Sequence, residues 1–138
     1  NKKKPVLINE LIPNISTLNL QVNQGGPVEK DSIFFIHKHP DLIHNSTKIK
    51  DGLFWGGDIN DMIYRVNNKE IKNNEITFLL GYAGWENNQL QNEINEGSWI
   101  IHNIQLTNFN NLKWSDLLIE VNKDYEVWAT APTDFHLN

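Results

Sequence analysis

The residues with chemical potential gather in three stretches of the chain. Gly81-Tyr82-Ala83-Gly84-Trp85 is followed by Gln89 and Glu93. Glycine lets a backbone approach a partner closely. The first N–H groups of a helix beginning just after it would be unpaired donors. Gln89 and Glu93 are four residues apart and share one face of such a helix. The spacing therefore describes the wall of a ligand cleft, with Tyr82, Trp85, Gln89 and Glu93 on it and Gly81 and Gly84 opening it. The plainer reading is a tight strand-to-helix turn packed by aromatics.

Gly25-Gly26-Pro27 is the second stretch. It lacks the Lys-Ser/Thr of a phosphate loop and the spacing of a dinucleotide fingerprint. Turn chemistry alone accounts for it. Its functional reading makes Gly26 and Pro27 the opposite lip of the same cleft.

The third stretch holds His37, His39 and His44. Pro40 stops the strand that would bring the first two to one face, and Asp41 is the only close carboxylate. Convergent ligands for a metal are not expected. His37 reads as a solvated residue at a strand end. Asp58 and Asp61 are explained as a helix N-cap and a first-turn acid.

No nucleophile elbow is present. The chain has no cysteine, which excludes a thiol nucleophile, a thiolate metal site and a disulfide framework. No cofactor is expected. The net charge is −5 and Arg65 is the sole arginine, a poor basis for direct DNA binding. No apolar run approaches the roughly 20 residues of a membrane span, and no leader peptide is visible, so a cytoplasmic protein is expected.

The length of 138 residues suits one domain. Leu7, Ile8, Leu11 and Ile12 predict a short helix closed by Pro13. Leu18, Leu20 and Val22 alternate as a strand. Residues 32–37 predict a strand apolar enough for burial on both faces. A polar loop follows from His39, then a turn at Asp51-Gly52 and a short strand, Leu53 to Trp55. Ile59, Met62, Ile63 and Val66 recur at helical spacing behind Asp58, predicting a helix over 58–68. Residues 76–82 predict a buried strand. A helix over 87–96 should carry Leu90 and Ile94 inward and stop at Gly97. A strand over 98–101 would complete a parallel crossover. A last helix is predicted over 110–122. The fold class is thus α/β (α+β), a single layered domain over 1–138.

Three segments together resemble the AlgH/YqgE family of bacterial proteins. They are Gly25-Gly26-Pro27-Val28 with the strand Ile33 to His37, Leu80 to Trp85 with Gln89-Leu90, Glu93 and Trp99, and the end of the chain from Trp114 through Tyr125, Ala129, Ala131-Pro132 and Leu137-Asn138. Asp51-Gly52 with Trp55-Gly56-Gly57-Asp58 looks like the form in Bacteroidetes-type members. The resemblance implies a mixed β-sheet flanked by helices. It carries a label of transcriptional regulator but no established catalytic residues, and no helix-turn-helix is visible to support that label. Family members begin with two strands joined by a short turn. Asn1-Lys2 matches the end of that stretch, so the leading strands are expected to be absent here, leaving a sheet edge open to self-association.

The expected function is a non-enzymatic ligand-binding or regulatory domain, with a small molecule or another protein as partner. An enzyme using the cleft, with Glu93 as acid or base and Tyr82 as a donor, is the alternative.

Overall fold

The computed structural model describes residues 4–16, 19–50 and 52–99. The chain falls into two compact units, Asn1–Gln91 and Asn92–Asn138.

The first unit is built on a five-stranded mixed sheet. Its strands are β1 (Val22–Gln24), β2 (Val28–His37), β3 (Thr47–Lys50), β4 (Leu53–Trp55) and β5 (Ile76–Tyr82). They lie in the order β1-β5-β2-β4-β3. β1 runs parallel to β5, while the β5–β2, β2–β4 and β4–β3 pairs are antiparallel. Helix α1 (Ile8–Leu11) is a single turn and α2 (Ile59–Asn67) follows β4. A helix, α3 (Gln89–Asn95), comes after β5. This is the α/β architecture with a mixed sheet that the sequence predicts.

Pairing sorts the side chains onto two faces. Phe35 lies opposite Phe78, and His37 opposite both Ile76 and Phe54, on one face. Met62 and Val66 of α2 join Phe35, Ile76 and Phe78 in one buried cluster with Ile8, Ile12, Ile15, Ile43 and Ile71. The helical spacing of α2 explains this, because positions four apart face the same way. Phe34, Ile36 and Trp55 lie on the other face and are only half-buried. The expectation that β2 is buried on both faces is therefore corrected: only Phe35 and His37 along it are fully buried.

Asp58 caps α2, its carboxylate accepting the Asp61 N–H at 2.9 Å. At the far end, the Glu70 N–H reaches the Arg65 carbonyl and the Lys69 N–H reaches Val66. This double closure is a Schellman motif, with Lys69 at φ 58 in the left-handed position. Asn67 then ties the chain before β1 to the helix, donating to the Asn14 carbonyl and accepting from the Ser16 N–H.

Other elements depart from the sequence reading. β1 begins at Val22, and its expected start at Leu18 lies outside the described residues. Residues 47–50 form the edge strand β3 rather than a loop; all four are exposed, so no apolar alternation announces it. Leu90 is 37% exposed rather than inward.

Within the second unit, α3 ends at Asn95, and Gly97 at φ 78 is the stop just beyond it, as predicted. The Ser98 N–H reaches the Glu93 carbonyl and the Gly97 N–H reaches Ile94. The strand expected over 98–101 does not begin at Ser98 or Trp99, and its remainder lies outside the described residues, as does the helix expected over 110–122. Among the described residues no helix is long and apolar enough to cross a membrane.

Candidate functional site

The two glycine-bearing bends meet. β1 runs beside β5 until the Gly25 N–H bonds the Leu80 carbonyl at 2.8 Å. The chain then crosses the end of β5 and returns on its other side as β2, where Val28 faces Tyr82. Backbone lies against backbone at this crossing. A Cβ on Gly26 would stand 2.2 Å from the Tyr82 carbonyl carbon, and one on Gly81 would stand 2.6 Å from the Gly26 oxygen and 2.7 Å from the Val28 oxygen. Distances this short exclude any side chain. The glycines thus serve the close approach of two chain segments, whatever else the site does.

Gly81 has a second effect. Its φ of 71 breaks the alternation of β5. Leu80 shares a face with its partner Ile33, yet Tyr82 packs edge-on against Phe34 on the opposite face, with ring centroids 5.4 Å apart. Phe34 also stacks on Trp55 at 5.5 Å. Three rings therefore form a half-buried row from β5 across β2 to β4. Gly84 lies beside the Tyr82 ring, its Cβ position 3.3 Å from the ring edge. Opposite this bend, β2 bulges between Val28 and Ile33, with Glu29 at φ 47.

The remaining cleft residues are placed differently. Pro27 sits in the crossing bend and is exposed, and Trp85 is 38% exposed. The Gln89 amide oxygen accepts the Glu86 N–H at 3.1 Å, a local bond at the start of α3. Glu93 belongs to the second unit, where its carboxylate accepts the Trp99 indole N–H at 2.7 Å. The structure thus brings Gly26, Pro27, Gly81, Tyr82 and Gly84 together within the first unit.

The three histidines follow a different logic. His37 is fully buried, which corrects its reading as a solvated residue. The strand continues its alternation one step beyond Phe35, and that signal was present in the sequence. The His39 N–H can only donate and the Gly56 carbonyl can only accept. The His37 Nδ1 therefore accepts from His39 at 3.1 Å, and its Nε2–H donates to Gly56 at 2.9 Å. Burial holds this imidazole below the ordinary histidine range; the bond to Gly56 opposes that and His39 reinforces it.

The His39 Nε2–H donates to Glu75 at 2.8 Å, and the same Glu75 oxygen accepts the Lys72 N–H. Burial pushes the Glu75 carboxyl up, but the Lys72 N–H and the His39 imidazole outweigh it and leave it below the usual carboxylate range. His44 meets Asp61 at the N-terminus of α2. Sequence spacing pairs neither carboxylate with its histidine, because the partners lie on separate elements. No group of three or more His, Asp or Glu that could hold a metal ion is found among the described residues.

The fold is thus that of an α/β domain with a mixed five-stranded sheet. The family model described as AlgH-like, DUF179, matches residues 1–128, and the chain belongs to that family. A UPF0301 protein of Chlorobium limicola is 34% identical over 136 residues, covering 96% of this chain and 73% of the relative. A UPF0301 protein of Parabacteroides distasonis is 31% identical over 144 residues, covering all of this chain and 73% of the relative. The solution structure of the AlgH protein from Pseudomonas aeruginosa superposes with a TM-score of 0.66 at 20% identity, covering 94% of this chain and 74% of that one. A crystal structure from Corynebacterium diphtheriae gives 0.68 at 17% identity, covering 93% and 71%. These likenesses bear on the fold.

Proposed function

We propose that this AlgH-like chain is a non-enzymatic ligand-binding or regulatory domain whose recognition surface lies around the glycine crossing. One observation carries the reading. Gly81 turns Tyr82 out of the core face and onto Phe34, leaving a phenol and two further rings half-buried beside an exposed bend. Half-buried rings beside an exposed bend suit a small ligand with a flat or apolar part. A binding role also agrees with the isolation of the polar groups described above, which are used in caps, turns and loop anchors. Arg65, the sole arginine, is engaged by Glu70 at 2.9 Å, which argues against a role in gripping phosphates.

The test is an NMR titration of small metabolites and nucleotides against the protein, following backbone amides. Shifts concentrated at residues 25–28 and 81–85, weakened by Tyr82→Ala, are expected. Binding whose shifts avoid both stretches would remove the site from the crossing.

A further inference from the structure

We propose that residues 38–46 form an acid-released latch, in which one proton taken up by the buried His37 imidazole frees the start of this loop from the core while the sheet stays folded. The loop joins β2 to β3 and is held at both ends. At its start, the His39 N–H is bound by the His37 Nδ1. The His39 carbonyl in turn accepts the Leu42 and Ile43 N–H groups at 3.3 and 3.2 Å. Ile43 is fully buried in the core cluster. At its end, the His44 carbonyl accepts the Asp58 N–H at 2.8 Å, and His44 binds Asp61.

The His37 ring lies 5.8 Å from Phe35 and 6.1 Å from Phe54. Its Nε2 already carries a proton, donated to Gly56. A second proton can enter only at Nδ1. There it would point at the His39 N–H, replacing an acceptor with a donor. Either the cation is expelled or His39 moves away, and Leu42 and Ile43 lose the carbonyl that organises them. Protonation therefore acts on the residue that holds the first half of the loop, while His44 keeps its bonds to Asp58 and Asp61 at the other end.

The charged surroundings do not offset that cation directly. On the loop, Lys38 and His39 adjoin His37 in sequence and are cations when protonated, while Asp41 and His44 lie further along it, His44 against Asp61. β4 contributes the uncharged Phe54 and, just past its end, the Gly56 carbonyl. β3 brings Lys48 opposite Phe54. Ahead of β5 stands Glu75, whose carboxylate is engaged by His39 and the Lys72 N–H. Asp58 and Asp61 of the α2 start are engaged with each other and with His44 at the loop's far end.

Amide exchange and imidazole 15N shifts, followed by NMR from about pH 8 to about pH 4 around the ordinary histidine range, decide the matter. The His37 Nδ1 signal should pass from an acceptor to a protonated nitrogen. With the same midpoint, and after correction for intrinsic exchange, His39, Leu42 and Ile43 should lose protection by roughly tenfold or more. Phe35, Ile76 and Phe78 should keep theirs over that range, the mark of local rather than global opening. His37→Phe should abolish the loop's acid response, and His39→Gln should keep a midpoint that tracks His37. Should His37→Phe fail to fold, the matching of midpoints in the unaltered protein still decides. Simultaneous loss of loop and core protection, or a loop midpoint that departs from that of the His37 ring, overturns the proposal.

Discussion

His44 grips Asp61 twice on one oxygen: the backbone N–H reaches it at 3.0 Å and the imidazole Nδ1 at 2.6 Å. The backbone bond, then the ring, hold the Asp61 carboxyl below its ordinary range. A carboxylate whose folded pKa is depressed contributes stability that is present above its unfolded pKa and is lost as pH falls through the folded value. Comparing the unaltered protein with Asp61→Asn in urea melts should therefore show the larger deficit in the variant near neutral pH. That deficit should shrink as pH falls through and below the carboxylate range. A deficit independent of pH would mean that Asp61 acts through its shape and its place in the first turn rather than its charge.

The crossing of the two bends predicts a graded response to a single methyl group. In Gly25→Ala the new Cβ would fall 2.1 Å from the Gly81 carbonyl oxygen, so backbone must move. Gly81→Ala meets two oxygens as well as a disfavoured φ. Each should cost about 3 kcal/mol or more in chemical denaturation, at or beyond the upper end of overpacking. Gly84→Ala meets only the edge of the Tyr82 ring at 3.3 Å, and should cost below about 1 kcal/mol. Equal costs at the three positions would show that the crossing relaxes freely.

Lys69 occupies the left-handed position that closes α2, a place that glycine fills without a Cβ penalty. Lys69→Gly should raise stability by about 0.5–1 kcal/mol, as optimised helix ends commonly do. A thermal melt measures it, and a fall in midpoint would show that the Lys69 side chain contributes more than its conformation costs.

Much of this architecture is legible in the amino-acid order, and what is not has physical causes. The helix expected over 58–68 is α2 at Ile59–Asn67, because Met62 and Val66 recur at the helical period and Asp58 supplies the cap. The strand expected over 76–82 coincides with β5, whose continuous apolar run reflects its place inside the sheet, between β1 and β2. β3 was hidden because an edge strand carrying Lys48 and Lys50 resembles a loop in composition. The His–carboxylate pairs were hidden because His39 and Glu75, like His44 and Asp61, meet only through the tertiary fold. The glycine bends were recognisable as bends. Their functional reading set them as two lips of one cleft, but the packing of backbone directly on backbone was not legible, since it depends on a late strand coming to lie between two early ones.

That strand order bears on how the chain is built. β1 and β2 are neighbours in sequence, yet each bonds to β5 rather than to the other. During synthesis, Val22 and Phe35 leave the ribosome long before their shared partner Phe78 exists. Until Tyr82 has emerged, the central row of backbone bonds cannot close, although the β3–β4 hairpin can already form and pair back onto β2. Pairings so distant along the chain are slow to find. The nascent protein must therefore keep the edges of two early strands unsatisfied, a window in which a holding chaperone would matter more than it does for the finished fold.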